Sequence, residues 1–149
     1  MGRRIVYSDT PVFHYHNENP KNKITCDCVV RAIATATGKS WDDVLEGLFE
    51  TARQYKLMLN DKKCYERYLA GLGWRKNGQP RRDDNTKYTG AEFCEQLQED
   101  PWVFTGKEGW SEPIIVKIGC HHVACIKDGR VWDSWDSSDG CIGNYWTKD

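Results

Sequence analysis

The chain has 149 residues, with 21 Lys and Arg against 22 Asp and Glu and a formal charge of −1, a balance that argues against binding nucleic acid through a broad basic face. No apolar run reaches membrane-spanning length and the first residues lack a hydrophobic signal core, so a cytoplasmic protein without a membrane partner is expected. One domain over residues 1–149 is long enough to bury a core, and the seven cysteines, an odd number without a secretory leader, read as reduced thiols.

In chain order, a short strand is expected at 5–7, then a loop rich in Asn, Pro and Lys at 17–22. Residues 28–37 carry Val29, Ala32, Ile33 and Ala36 at helical spacing, with Gly38 as the stop. Ser40 caps a second helix over 41–55, whose apolar stripe is Trp41, Val44, Leu45, Leu48, Ala52 and Tyr55. A third helix spans 61–72 and ends at Gly73-Trp74. Residues 75–88, polar and basic, read as a surface loop, and Arg3-Arg4 and Arg81-Arg82 as solvated surface. Thr89 and Glu92 form a capping box for a short helix running to Leu97. After Pro113 the period changes: 114–118 is a β-branched run, a hairpin follows, and a last strand is expected at 141–145. Helices first and strands second give an α+β class, with N-terminal helices packed on a C-terminal antiparallel sheet.

The hairpin carries the chemistry. Asp128-Gly129 between apolar runs signals a two-residue type I′ turn. In that register Lys127 faces Arg130 and Cys125 faces Trp132, while His122, Ala124, Ile126, Val131, Asp133 and Trp135 share one side of the sheet. His122 and Asp133 are then diagonal neighbours, and an imidazole held by a carboxylate is half of a nucleophile-activating triad. Trp135 is placed to cover that pair from water. A one-residue bulge would instead pair His121 with Asp136.

The other half is a nucleophile, and Cys28 stands in the first turn of a helix, where unpaired N–H groups and the helix dipole favour an anion. Cys26 lies before the helix and lacks that support. The Cys28 backbone N–H is one candidate oxyanion donor, with Asn22, Asn19 or Thr25 as the second. Cys26, Cys28, Cys120, His121, His122 and Cys125 resemble a metal cluster in composition, but neither Cys-x-Cys nor Cys-His-His-x-x-Cys is a usual zinc spacing. No metal or other cofactor is expected.

A Cys at a helix start, a later strand His, and Asp133-Ser134-Trp135 on the next strand resemble the papain-like cysteine peptidase superfamily, whose orienting residue is commonly Asn in an Asn-Ser-Trp sequence. The stretches Asn17-Glu-Asn-Pro-Lys, Asp27-Cys28-Val-Val-Arg-Ala-Ile, Thr37-Gly-Lys-Ser-Trp-Asp-Asp, Asn60-Asp-Lys-Lys and Asp128-Gly-Arg-Val-Trp-Asp-Ser-Trp-Asp resemble its small single-domain members, many of them encoded by bacteriophages and Firmicutes. The similarity runs from Val12 to Trp146. It implies a papain-like fold and a Cys28–His122–Asp133 triad acting on a protein or peptide substrate. Asn22 stands near the place of the superfamily's oxyanion Gln, as a shorter amide. The expected activity is hydrolysis of a peptide, isopeptide or amide bond. The alternatives are a transglutaminase-like acyl transferase or a binding module on the same scaffold that acts on a host factor. Asp133→Asn is expected to be mild, since an amide can still orient the ring.

Overall fold

The computed structural model describes residues 7–148. Its elements are β1 (Phe13–Tyr15), α1 (Cys28–Thr37), α2 (Trp41–Tyr55), α3 (Lys62–Gly71), β2 (Trp74–Asn77), α4 (Gly90–Glu99), α5 (Trp102–Thr105), β3 (Ile114–Ile118), β4 (His122–Lys127), β5 (Arg130–Asp133) and β6 (Ile142–Lys148). The six strands make one sheet in the order β1-β5-β4-β3-β6-β2. The strand expected at 5–7 falls outside the described residues, apart from Tyr7, which is in no strand.

Local chemistry explains the helices. Gly38 closes α1 in the left-handed conformation, at φ 75°, and its N–H reaches the Ala34 carbonyl. The Ser40 hydroxyl accepts from the Asp43 N–H at 3.1 Å, with Asp42 and Asp43 complementing the positive end of α2. Both halves of the capping box at α4 form: Glu92 N–H to Thr89 Oγ1 at 3.1 Å, and Thr89 N–H to Glu92 Oε1 at 2.9 Å. Thr89→Ala is expected to cost about 1 kcal/mol, read as a lower urea midpoint at unchanged slope.

The sheet is covered on both faces, so its central strands read as near-continuous apolar runs. One face meets α1, α2 and α3 through Val29, Val30, Ile33, Leu48, Leu69, Ile115, Val123 and Trp146. The other meets α4 and α5 through Phe13, Phe93, Phe104, Ile114, Val116, Ile126, Val131 and Tyr145. Phe93 and Phe104 stack there with centroids 4.0 Å apart.

The α+β class stands, but the sheet is neither purely antiparallel nor purely C-terminal. β1 pairs parallel with β5, and β2 pairs antiparallel with β6, so both edge strands precede β3–β6 in sequence, β1 near the N-terminus and β2 at mid-chain. β2 overturns the surface loop expected from residue 75. Only Trp74 of it is buried, and Arg75 and Lys76 face solvent, as charged edge positions do. α4 runs two residues past Leu97, α5 was not foreseen, and the last strand extends to Lys148.

Candidate functional site

α1 begins at Cys28, and the residue before it, Asp27, occupies the N-cap position without capping the helix. Its carboxylate is turned inward instead, accepting from Arg31 Nε at 2.8 Å, Asn19 Nδ2 at 3.0 Å and Trp41 Nε1 at 3.0 Å. Arg31 supplies the first intrahelical N–H, to the Asp27 carbonyl at 2.8 Å. The N–H groups of Cys28, Val29 and Val30 therefore precede the hydrogen-bonded ladder, and no side chain caps them among the described residues. A half-buried thiol sits at that positive end.

The hairpin forms as its sequence requires. Asp128 and Gly129 take φ of 52° and 72°, the two left-handed positions of a type I′ turn. Lys127 pairs with Arg130, Ile126 with Val131 and Cys125 with Trp132. This register brings His122, at the start of β4, to Asp133, at the end of β5, with Nε2 and Oδ2 2.5 Å apart. Asp133 occupies Nε2 and leaves the second ring nitrogen, Nδ1, open; the His122 side chain and the Val123 backbone both act on the Cys28 thiol. The Trp135 ring lies 4.7 Å from that of His122, and 42 % of Trp135 remains exposed.

Asp133, only 2 % exposed, is saturated with donors. Oδ2 accepts from His122 and from the Ser137 hydroxyl at 2.7 Å, and Oδ1 accepts from Arg31 Nη1 and the Ser134 N–H at 2.9 and 2.8 Å. The series Asp27–Arg31–Asp133–His122 thus runs hydrogen-bonded through the base of the site and ends beside Cys28.

Burial by itself would raise the Cys28 thiol, but the hydrogen bond from His122, that of Val123, and the charges of His122 and Arg31 outweigh it and hold the thiol below its ordinary value. Burial opposes charge on His122 as well, yet the hydrogen bonds to Asp133 and Cys28 lift it to about 9. Asp133 is held below the usual carboxylate range: burial pushes it up, and His122, Arg31 and Ser137 together prevail. The combination favours a thiolate facing an imidazolium. Burial instead pushes Cys94 up to about 12 and raises Cys64 and Cys125, so these three are inert core thiols. All seven cysteines are free.

The competing assignments separate clearly. His121 is exposed, and Asp136 closes its own turn by accepting from the Ser138 N–H and hydroxyl at 3.1 and 2.5 Å. The shifted His121–Asp136 pair does not form, because the hairpin carries no bulge. Cys26 is exposed, its carbonyl 3.5 Å from Asn60 Nδ2. Of the oxyanion candidates, Asn19 is buried and holds the preceding loop together, its Oδ1 accepting from the Lys21 and Lys23 N–H groups while Nδ2 serves Asp27. Asn22 takes φ 53°, and its Oδ1 accepts from Asn17 at 3.2 Å. Thr25 is exposed, and its carbonyl accepts from the Asp27 N–H at 2.9 Å. Of the three, Asn19 reaches the helix start, but its amide is committed to Asp27 and to the loop.

A cleft of about 720 Å³ opens beside His122 and Trp135, and His121 and Asp136 line it. Among the described residues, no group of three or more His, Cys, Asp or Glu is arranged to hold a metal ion, and no helix is long and apolar enough to cross a membrane. Protein-family models, curated proteins and solved structures offer no match to this chain.

Two contributors escaped the sequence reading. Arg31 stands four residues after Asp27, an i,i+4 spacing that most often marks a solvated pair, yet it is buried and reaches Asp133. Ser137 follows β5 in a loop whose course the sequence does not specify.

Proposed function

We propose that the protein is a thiol hydrolase that cleaves a peptide, isopeptide or amide bond, with Cys28 as nucleophile, His122 as general base and acid, and Asp133 as orienting carboxylate. The observation that carries this reading is the series Cys28–His122–Asp133, in which the one thiol with a lowered pKa meets the one strongly raised histidine, itself hydrogen-bonded to Asp133. The chain order of thiol at a helix start, strand histidine and hairpin carboxylate supports a papain-like arrangement.

In this mechanism the Cys28 thiolate forms a bond to the carbonyl carbon, and the oxyanion turns toward the uncapped N–H groups at the start of α1. The tetrahedral intermediate collapses with loss of the amine, which takes the proton carried by the His122 imidazolium. His122, now neutral, accepts a proton from water as the water attacks the thioester, and the acid product and the resting ion pair are regenerated. The open cleft on the His122 side gives a leaving group room to depart.

Alkylation by iodoacetamide with peptide mapping tests this directly. An ordinary thiol is about 0.3 % thiolate at pH 6, so Cys28 is expected to react more than about 10-fold faster there than Cys26, Cys120 or Cys141. His122→Ala should return it to their pH profile. Turnover should decline as the pH rises through about 9, where His122 loses the proton owed to the leaving amine. A Cys28 no more reactive at pH 6 than its exposed neighbours would end the reading.

A further inference from the structure

We infer that Arg31 is a positioning residue: its guanidinium bridges Asp27 and Asp133, fixes which oxygen of Asp133 meets His122, and cancels that carboxylate's charge. The inference rests on Cys28 and His122 being the reacting pair.

Its geometry is that of a fork across the two halves of the site. Nε donates to Asp27 Oδ1 at 2.8 Å and Nη1 to Asp133 Oδ1 at 2.9 Å, and all three side chains are at most 9 % exposed. Asp27 immediately precedes the nucleophile, and Asp133 directly holds the base. A planar guanidinium can serve two carboxylates in different directions, which a single ammonium cannot do with the same geometry. Because Arg31 and the Ser134 N–H occupy Oδ1, Oδ2 is the oxygen left to His122 and Ser137. The titratable and charged groups around His122 are Cys28 and Arg31 from α1, Asp133 from β5, Asp27 one residue further along the network, and His121, Cys120, Asp136 and Asp139 around the cleft that His122 lines.

The electrostatic consequence has a sign that packing alone does not share. While Arg31 cancels Asp133, His122 feels only part of the carboxylate's field. Removing the cation should expose His122 to the whole of it and raise the imidazole titration midpoint. A residue that merely filled space would loosen the site when replaced, and the midpoint would fall toward the ordinary value of about 6.5.

The test follows the His122 ring by NMR titration in the wild type, in Arg31→Gln and in Arg31→Met, with near-UV circular dichroism to establish folding. A rise in the midpoint of about half a pH unit or more is expected in either variant that folds. An unmoved or lowered midpoint overturns the inference. A second measurement compares iodoacetamide rates at pH 6 for Asp133→Asn and for Arg31→Met/Asp133→Asn. In the single variant the Arg31 and Ser134 donors hold the amide oxygen on their side. Without Arg31 that constraint weakens and the oxygen can turn to His122, so the double variant is expected to react about 10-fold faster than Asp133→Asn alone. A double variant that folds and reacts no faster contradicts the proposed role. An unreactive wild-type Cys28 would defeat the hydrolase reading alone, since the His122 midpoints are read without it.

Discussion

Asp133→Asn is expected to silence Cys28. The carboxylate accepts at both oxygens from donors on every side, and two of those donors, the Arg31 guanidinium and the Ser134 N–H, cannot reverse their polarity. An amide in that position keeps its oxygen toward them and turns its NH₂ toward His122 and Ser137. The serine hydroxyl can rotate to accept. The imidazole can accept only by giving up its Nε2 proton, which leaves the ring neutral with its remaining proton on Nδ1, facing the sulfur. Such a ring can neither take the thiol proton nor stand as imidazolium. Trapping the wrong tautomer in a triad of this logic costs about 10⁴-fold in kcat, and the rate of Cys28 alkylation at pH 6 should drop to that of the exposed cysteines. Retention of more than about a tenth of the wild-type rate would show that the amide does orient the ring, the mild outcome that Asn-Ser-Trp sequences lead one to expect. The difference between the two expectations lies in Arg31, whose approach to Asp133 from α1 fixes the amide's orientation.

Trp146→Ala is expected to have the largest effect on stability. The indole is 1 % exposed on the face of the sheet that meets α1, α2 and α3, its ring edge-on to Tyr65 at a centroid distance of 5.7 Å. Trp146 pairs with Ile115 on β3 and Lys76 on β2, so it stands where an edge strand, a central strand and the helical layer meet. Removing a buried aromatic of this size costs about 3–5 kcal/mol, a large part of the 5–15 kcal/mol that holds a typical domain folded. Equilibrium urea unfolding should show a much lower midpoint, and Trp102→Ala, at a site 56 % exposed, should stay within about 0.5 kcal/mol of the wild type. Equal shifts in the two variants would mean that Trp146 is not at the centre of this core.

The parts of the fold legible in the sequence were those governed by contacts between near neighbours. Ser40, Thr89 with Glu92, and Gly38 mark helix ends because their chemistry is completed within four residues. Asp128-Gly129 sets the hairpin register for the same reason, and with it the meeting of His122 and Asp133. The start of α1 at Cys28 was equally plain. What the sequence concealed depends on distant partners. Phe13-His14-Tyr15 is too short to show an alternation, and it becomes a strand only because β5 offers its edge. Trp74-Arg75-Lys76-Asn77 reads as loop because an edge strand buries a single side chain. Arg31 looks like a surface residue until the hairpin supplies Asp133, 102 positions further along the chain.

The parallel pairing of β1 with β5 sets Tyr15 beside Asp133, and the His16 N–H reaches the Asp133 carbonyl at 2.8 Å. The support for the imidazole is therefore closed by the opposite end of the polypeptide. During synthesis the sulfur at position 28 leaves the ribosome long before the ring and the carboxylate that would charge it, and the loop joining them is among the last contacts to close. Until then the nascent chain lacks the groups that lower the Cys28 thiol, so any reactivity proposed for it would arrive only with completed tertiary structure.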